Sequence, residues 1–115
     1  MALEEFSAFT KANDIFDVVV EDMRRLQHLR ALDRLVAQQL ASADSIAANI
    51  EEGYGRHSQK EFCQFLIVAR GSAQETRGRY HRMRHWLSAE KTAARQALCD
   101  EIIGMLTATI QTLKK

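Results

Sequence analysis

Between Ser45 and Ser72 the chain reads SIAANIEEGYGRHSQKEFCQFLIVARGS, and this stretch forces the backbone to double back on itself. An apolar-periodic run stops at Gly53 and Gly55, residues that can take the left-handed conformation closing a helix. Ser58-Gln59-Lys60-Glu61 follows, a capping-box pattern directly ahead of a second apolar run. One helix ends and another begins within a few residues, so the two lie side by side and antiparallel.

The same 3.6-residue period runs through the rest of the chain. Phe6, Phe9, Phe16, Val19, Val20, Met23 and Leu26 mark the inner face of a first helix, with Glu4 and Glu5 in its first turn. A break falls near Gln27 to Arg30, unmarked by Gly or Pro. Leu32, Leu35, Val36, Ala43, Ile46 and Ile50 line the second helix. The third carries Phe62, Phe65, Leu66, Ala69, Ala73, Tyr80, Met83 and Leu87 inward. The fourth starts near Ser88 to Lys91, projects Ala94, Leu98, Ile102, Met105, Leu106 and Leu113, and closes on Lys114 and Lys115. There is no proline among the 115 residues, and no alternating strand-like pattern. The expected architecture is all-α: a single domain over residues 1–115, an antiparallel up-down-up-down four-helix bundle.

Cys63 and Cys99 fall in different helices without metal-type spacing, which fits a reducing compartment better than a disulfide framework. No secretory leader opens the chain, and no apolar run approaches the ~20 residues that span a bilayer. The expectation is a cytoplasmic protein away from membranes.

The net charge of +1 conceals an uneven distribution. From Arg56 to Arg84, seven cations face two acids, leaving the remainder of the chain acidic. Arg70, Gln74, Arg77, His81 and Arg84 fall in one band down the third helix, whereas Arg79 and Arg82 fall on other faces. Guanidinium groups at helical spacing can engage successive phosphates. The same groups can equally be a solvated face, or pair with acids of a neighbouring helix or subunit. Arg56 and Lys60 flank the start of the third helix, where free backbone N–H groups favour anions; a plain hairpin turn accounts for the same residues.

Glu51 and Glu52 sit in the last turn of the second helix, where the helix dipole disfavours them, so each calls for a cation from Arg56 or from another subunit. Asn49 suits a helix-to-helix hydrogen bond. Gly71 and Gly78, seven apart in the third helix, each cost about 1 kcal/mol relative to Ala, which suggests a close backbone from the second or fourth helix or from another protomer. Glu75 offers a carboxylate for an interface arginine. His81 and His85 have the i,i+4 spacing of metal ligands, but Arg82 and Arg84 beside them repel a cation. A phosphate-binding GxxxxGK[ST] loop is absent, and no nucleophile–base set is legible. The expectation is a protein without catalytic activity, cofactor, metal or small-molecule substrate.

SIAANIEEGYGR followed by KEFCQFLIVARGSAQE resembles the 23S rRNA intervening-sequence proteins, bacterial four-helix bundles patterned S-I-x-x-N-I-A-E-G-x-G-R and E-F-x-x-F-L-x-I-A-x-G-S-x-x-E. The likeness rests on Ser45, Ile46, Asn49, Ile50, Glu52, Gly53, Gly55, Arg56, Glu61, Phe62, Phe65, Leu66, Ala69, Gly71, Ser72 and Glu75. Two departures stand out. Ala47 occupies a place where the family often has proline, implying a more continuous second helix, and Glu51 replaces the usual Ala. The resemblance implies a cytosolic homo-oligomer, a ring of five, and a kinship with the accessory variability determinant proteins of diversity-generating retroelements. Those form a basic pentameric barrel that binds nucleic acid and a reverse transcriptase. By this likeness the partners are further copies of the chain and RNA or a nucleic-acid-processing protein. The placement of charge, rather than the likeness, nominates the residues expected to face RNA: Arg56, Lys60, Arg70, Arg77, His81 and Arg84. Contacts between helices or subunits are expected from Asn49, Glu51, Glu52, Gly71, Glu75 and Gly78 on the residue-level grounds given above.

Overall fold

The computed structural model describes residues 2–115. Four long helices, α1 (Ser7–Leu26), α2 (Asp33–Tyr54), α3 (Gln59–Arg82) and α4 (Ala89–Leu113), pack into a bundle 45 Å long and about half as wide. Short 3₁₀ turns at Leu3–Glu5, Arg30–Leu32 and Met83–His85 precede α1, α2 and α4. Side chains that meet across helices show the directions. Gln39 and Ser42 of α2 reach Thr76 of α3 and Ser45 reaches Ser72, so one number falls as the other rises. Arg70 and Arg77 of α3 meet Thr107 and Asp100 of α4, and Lys11 and Asp22 of α1 meet Glu101 and Arg95 of α4, in the same inverse order. Both the α1–α2 and the α3–α4 connections therefore lie at one end of the bundle. The α2–α3 turn lies at the other.

Local chemistry accounts for most boundaries. Ser58 Oγ accepts from the Glu61 N–H at 3.1 Å, and Ser88 Oγ accepts from the Lys91 N–H at 3.1 Å, capping α3 and α4. The α2 terminus departs from expectation. No described glycine has a positive φ, and Gly55 caps α2 at φ −81° in the right-handed region. Gly53 lies inside the helix and serves close approach instead: a Cβ there would stand 2.7 Å from Phe65 Cβ and 3.3 Å from the Phe62 carbonyl oxygen. α2 runs unbroken through Ala47.

The core also sits a little differently around each helix. On α1 the buried line is Ala8, Ala12, Ile15, Val19, Met23 and Leu26, with Phe6, Phe9 and Phe16 half-buried along its flank. Small residues at the centre let α1 approach its neighbours, and the rings close the seams. α3 stops at Arg82, so Leu87 packs on the core from the connection rather than from the helix. Ala94 is exposed; Thr92, Cys99, Ile102, Leu106 and Ile110 are the inward residues of α4. Each fully buried Ile or Leu, such as Ile46, Leu66 and Ile102, contributes about 1.5–3 kcal/mol.

Two buried acids in this core make stability depend on alkaline pH. Burial pushes the Cys99 thiol up to about 12 from its ordinary 9.0. Burial, reinforced by the hydrogen bond to Asp22, pushes the Tyr80 phenol well above its ordinary 10.0. Both are neutral when protonated and titrate more easily in the unfolded chain. Stability is therefore level up to about pH 9 and falls above it, by about 1.4 kcal/mol per pH unit for Cys99 and as much again for Tyr80 above about pH 10. Urea midpoints measured from pH 7 to 11 should bend downward near pH 9, with a gentler slope in Cys99→Ala and Tyr80→Phe. A flat profile would contradict this.

Candidate nucleic-acid interface

The polar side chains inside the bundle form two networks that hold helices in register. Between α2 and α3, Gln39 Nε2 donates to the Thr76 carbonyl at 3.0 Å, and the Ser42 and Thr76 hydroxyls lie 2.9 Å apart. Arg79, only 8% exposed, donates to Gln39 Oε1 and Ser42 Oγ at 2.9 Å and to the Gln38 carbonyl at 3.3 Å. Its partners are all neutral, and burial holds its pKa below the usual arginine value. Among α1, α3 and α4, Asp22 is fully buried. It accepts from the Tyr80 hydroxyl at 2.7 Å and from Arg95 through two bonds at 2.9 and 3.1 Å, with Lys91 Nζ at 4.0 Å. The bond to Asp22 raises the Arg95 pKa.

The α3 band expected from the sequence runs along the seam with α4. Arg70, half-buried, donates to Thr107 Oγ1 at 3.2 Å. Arg77 Nε donates to Asp100 at 2.5 Å, an interaction that raises its pKa. His81 is exposed. Arg84 lies beyond α3 in the 3₁₀ turn and donates to the His81 carbonyl at 2.9 Å. His85 is in that turn too, so it is not one α-helical turn from His81, and its ring meets Trp86 edge-on at 5.7 Å. Among the described residues no three His, Cys, Asp or Glu side chains gather as metal ligands.

At the opposite end Arg56 pairs with Glu52 and lies over the Phe65 ring at 4.9 Å, which supplies the cation Glu52 needs. Lys60 is exposed and forms no ion pair among the described residues. Glu51 and Glu52 line a groove between α1 and α2 with Asp44, Asn13 and Phe16, about 540 Å³ in volume. Asn49 bonds within α2, to the Ser45 carbonyl and hydroxyl, and it is Ser45 that crosses to Ser72. Among the described residues no close backbone meets Gly71 or Gly78: nothing stands within 4 Å of a Cβ at Gly71, and only the Arg82 side chain nears one at Gly78. Glu75 is exposed on the same helix.

The sequence window from Arg56 to Arg84 holds only part of a positive cluster that the fold assembles from two segments. Antiparallel packing brings residues 21–34 and 79–95 together at the end holding the α1–α2 and α3–α4 connections. Nine cations and four acids meet there, a net +5, leaving −4 for the rest of the chain. Arg24 pairs with Glu21, and Lys91 and Arg95 with Asp22. Arg25, Arg30, Arg34, Arg82 and Arg84 are exposed and have no carboxylate partner among the described residues. The up-down topology, once inferred, would have revealed this by adding the charges of both connections.

These features define a class: a helical bundle whose buried polar groups fix register and whose exposed, unpaired arginines collect at one pole. Residues 4–108 match the family model described as 23S rRNA-intervening sequence protein, and the chain belongs to that family. It is similar in fold to a protein of unknown function from the S23 ribosomal protein family of Bacteroides thetaiotaomicron, with a TM-score of 0.84 at 23% identity. The alignment covers 90% of this chain and 97% of the other. No curated protein matches the sequence. Among the described residues no helix is long and apolar enough to cross a membrane.

Proposed function

We propose that the protein is a non-catalytic scaffold that assembles with copies of itself, as a homopentameric ring, and engages RNA or a nucleoprotein through its cationic surface. One observation carries this reading: five exposed arginines without carboxylate partners converge on the end of a bundle whose remainder is acidic. Arginine without an internal counter-ion keeps its bidentate fork for phosphate. His81 extends this surface along α3; Arg70 and Arg77 border it while tying α3 to α4. Arg56 and Lys60 offer a smaller basic patch at the far end.

A protein-interaction ring without nucleic acid is the second reading, favoured by the acid-lined α1–α2 groove and the open α3 surface at Gly71. Arginines of one copy would meet Asp44, Glu51 and Glu52 of the next.

Retention of a structured RNA against salt separates the two. With about four phosphates neutralised, affinity should fall on the order of a hundredfold between about 50 and 200 mM salt. Reversing Arg30, Arg34 and Arg82 to Glu should abolish retention and leave the oligomer mass unchanged. No retention at low salt rejects RNA binding. Dissociation of the assembly in the charge-reversed variant supports the interaction ring, and a stable monomer under native conditions rejects assembly.

A further inference from the structure

Between the two connections at the basic end lies a pocket of about 390 Å³ lined by Arg25, Leu26, His28, Leu29, Trp86, Leu87, Ser88 and Lys91. We propose that this pocket receives an unstacked base of single-stranded RNA, with the base lying on Trp86 and its flanking phosphates on Arg25, His28 and Lys91. The inference rests on the RNA-binding reading and adds to it a defined subsite.

The local backbone explains why an aromatic residue stands there. Met83 is fully buried and anchors the 3₁₀ turn after α3. The Trp86 and Leu87 N–H groups both donate to the Met83 carbonyl, at 2.9 and 3.1 Å, which fixes the backbone beneath the indole. Trp86 remains 43% exposed, although an indole gains more from burial than almost any side chain. The walls beside it are the aliphatic Leu26, Leu29 and Leu87, the cations are Arg25 and Lys91, and His28 adds an imidazole; among the described residues no acid lines the pocket. Lys91 is steadied by Asp22 beneath it at 4.0 Å. The N-terminus of the 25-residue α4 opens beside the pocket and adds positive potential. An exposed π face bordered by cations matches a nucleotide, which joins a flat apolar base to a phosphate. Sequence-tolerant single-strand sites combine these same two elements. The volume falls within the range of small-ligand sites.

Trp86 is the only tryptophan, so its fluorescence reports this pocket alone. Titration of the full chain with a short oligoadenylate should quench it, whereas inorganic polyphosphate, which carries charge without bases, should not. Trp86→Ala should weaken oligoadenylate binding on the order of tenfold, and Trp86→Phe should recover much of that loss. Thermal melts of both variants check the fold, and the wild-type quench needs neither variant. RNA retained without quenching, or bound equally by Trp86→Ala, overturns the subsite and leaves the RNA reading standing. Loss of all RNA retention in the wild type overturns both. Equal quenching by polyphosphate or by an acidic peptide overturns base stacking, and the peptide result would identify a protein occupant instead.

Discussion

Asp22→Ala is expected to lower the stability of the bundle by about 3–5 kcal/mol, as much as truncating a large core side chain. The carboxylate is wholly buried and takes three hydrogen bonds from groups on two other helices, Tyr80 of α3 and Arg95 of α4. Removing it leaves the Arg95 guanidinium partly buried without its counter-ion and the Tyr80 hydroxyl without an acceptor, at a depth where an unmatched polar group is costly. Asp22→Asn keeps an acceptor for Tyr80 but loses the charge facing Arg95, and should cost roughly half as much. Tyr80→Phe removes one charge-assisted bond, worth about 1.5–3 kcal/mol. The three substitutions share one network, so their costs should not add. Urea denaturation of each variant measures this. An Asp22→Ala midpoint close to that of the parent would show that the network carries little of the stability.

Gly53→Ala should destabilise by about 1–3 kcal/mol, against the usual gain from replacing a helical glycine. The new methyl would meet Phe65 Cβ at 2.7 Å and the Phe62 backbone at 3.3 Å. Neither atom is the free end of a flexible side chain, so relief requires α3 to move away from α2. That movement would also strain the Ser45–Ser72 and Gln39–Thr76 bonds further along the seam. Gly71 and Gly104 make the contrast, because no atom stands within 4 Å of a Cβ at either position. Alanine there should stabilise the single chain by up to about 1 kcal/mol each. Thermal melts of the three variants should therefore split in sign. A neutral Gly53→Ala would mean that the α2–α3 approach is looser than described. Loss of an assembly on Gly71→Ala would place a second copy against that surface.

Helix identity was legible because the apolar period is long; Ser58 caps α3 through the Glu61 N–H, one half of the expected capping box, and Ser88 caps α4 in the same way. The first boundary was obscure for a physical reason. α2 starts at Asp33 with Leu32 as its cap and no side-chain capping bond, and the turn is held by burial of Leu32 instead. Periodicity also misjudged which apolar residues lie deepest. The large phenylalanines of α1 dominate the pattern, yet helix approach favours Ala8 and Ala12 at the centre. Gly53 was recognised as constrained but for the wrong cause, because a turn and a tight crossing ask for the same residue. The candidate site was half legible. Arg70, Arg77 and His81 lie on α3 but Arg84 falls in the turn beyond it, and which of the arginines are engaged depends on Asp100 and Thr107, whose alignment with α3 only the packed register reveals. Asp22 and Gln39 gave no signal, being ordinary polar residues in amphipathic helices. The basic end and its Trp86 pocket combine segments some fifty residues apart.

Separation of charge along a 45 Å axis also makes the molecule an electric dipole, with its positive pole at the paired connections. Within a screening length of a polyanion, about 8 Å at physiological ionic strength, such a particle is turned before it makes contact. Encounter is thus pole-first, and salt should slow association more than it hastens release. The same field acts between copies. Two positive poles repel, so any assembly must either splay those poles apart or set each beside a neighbour's acidic flank. The arrangement of charge along one chain thereby restricts the symmetry that several chains can adopt.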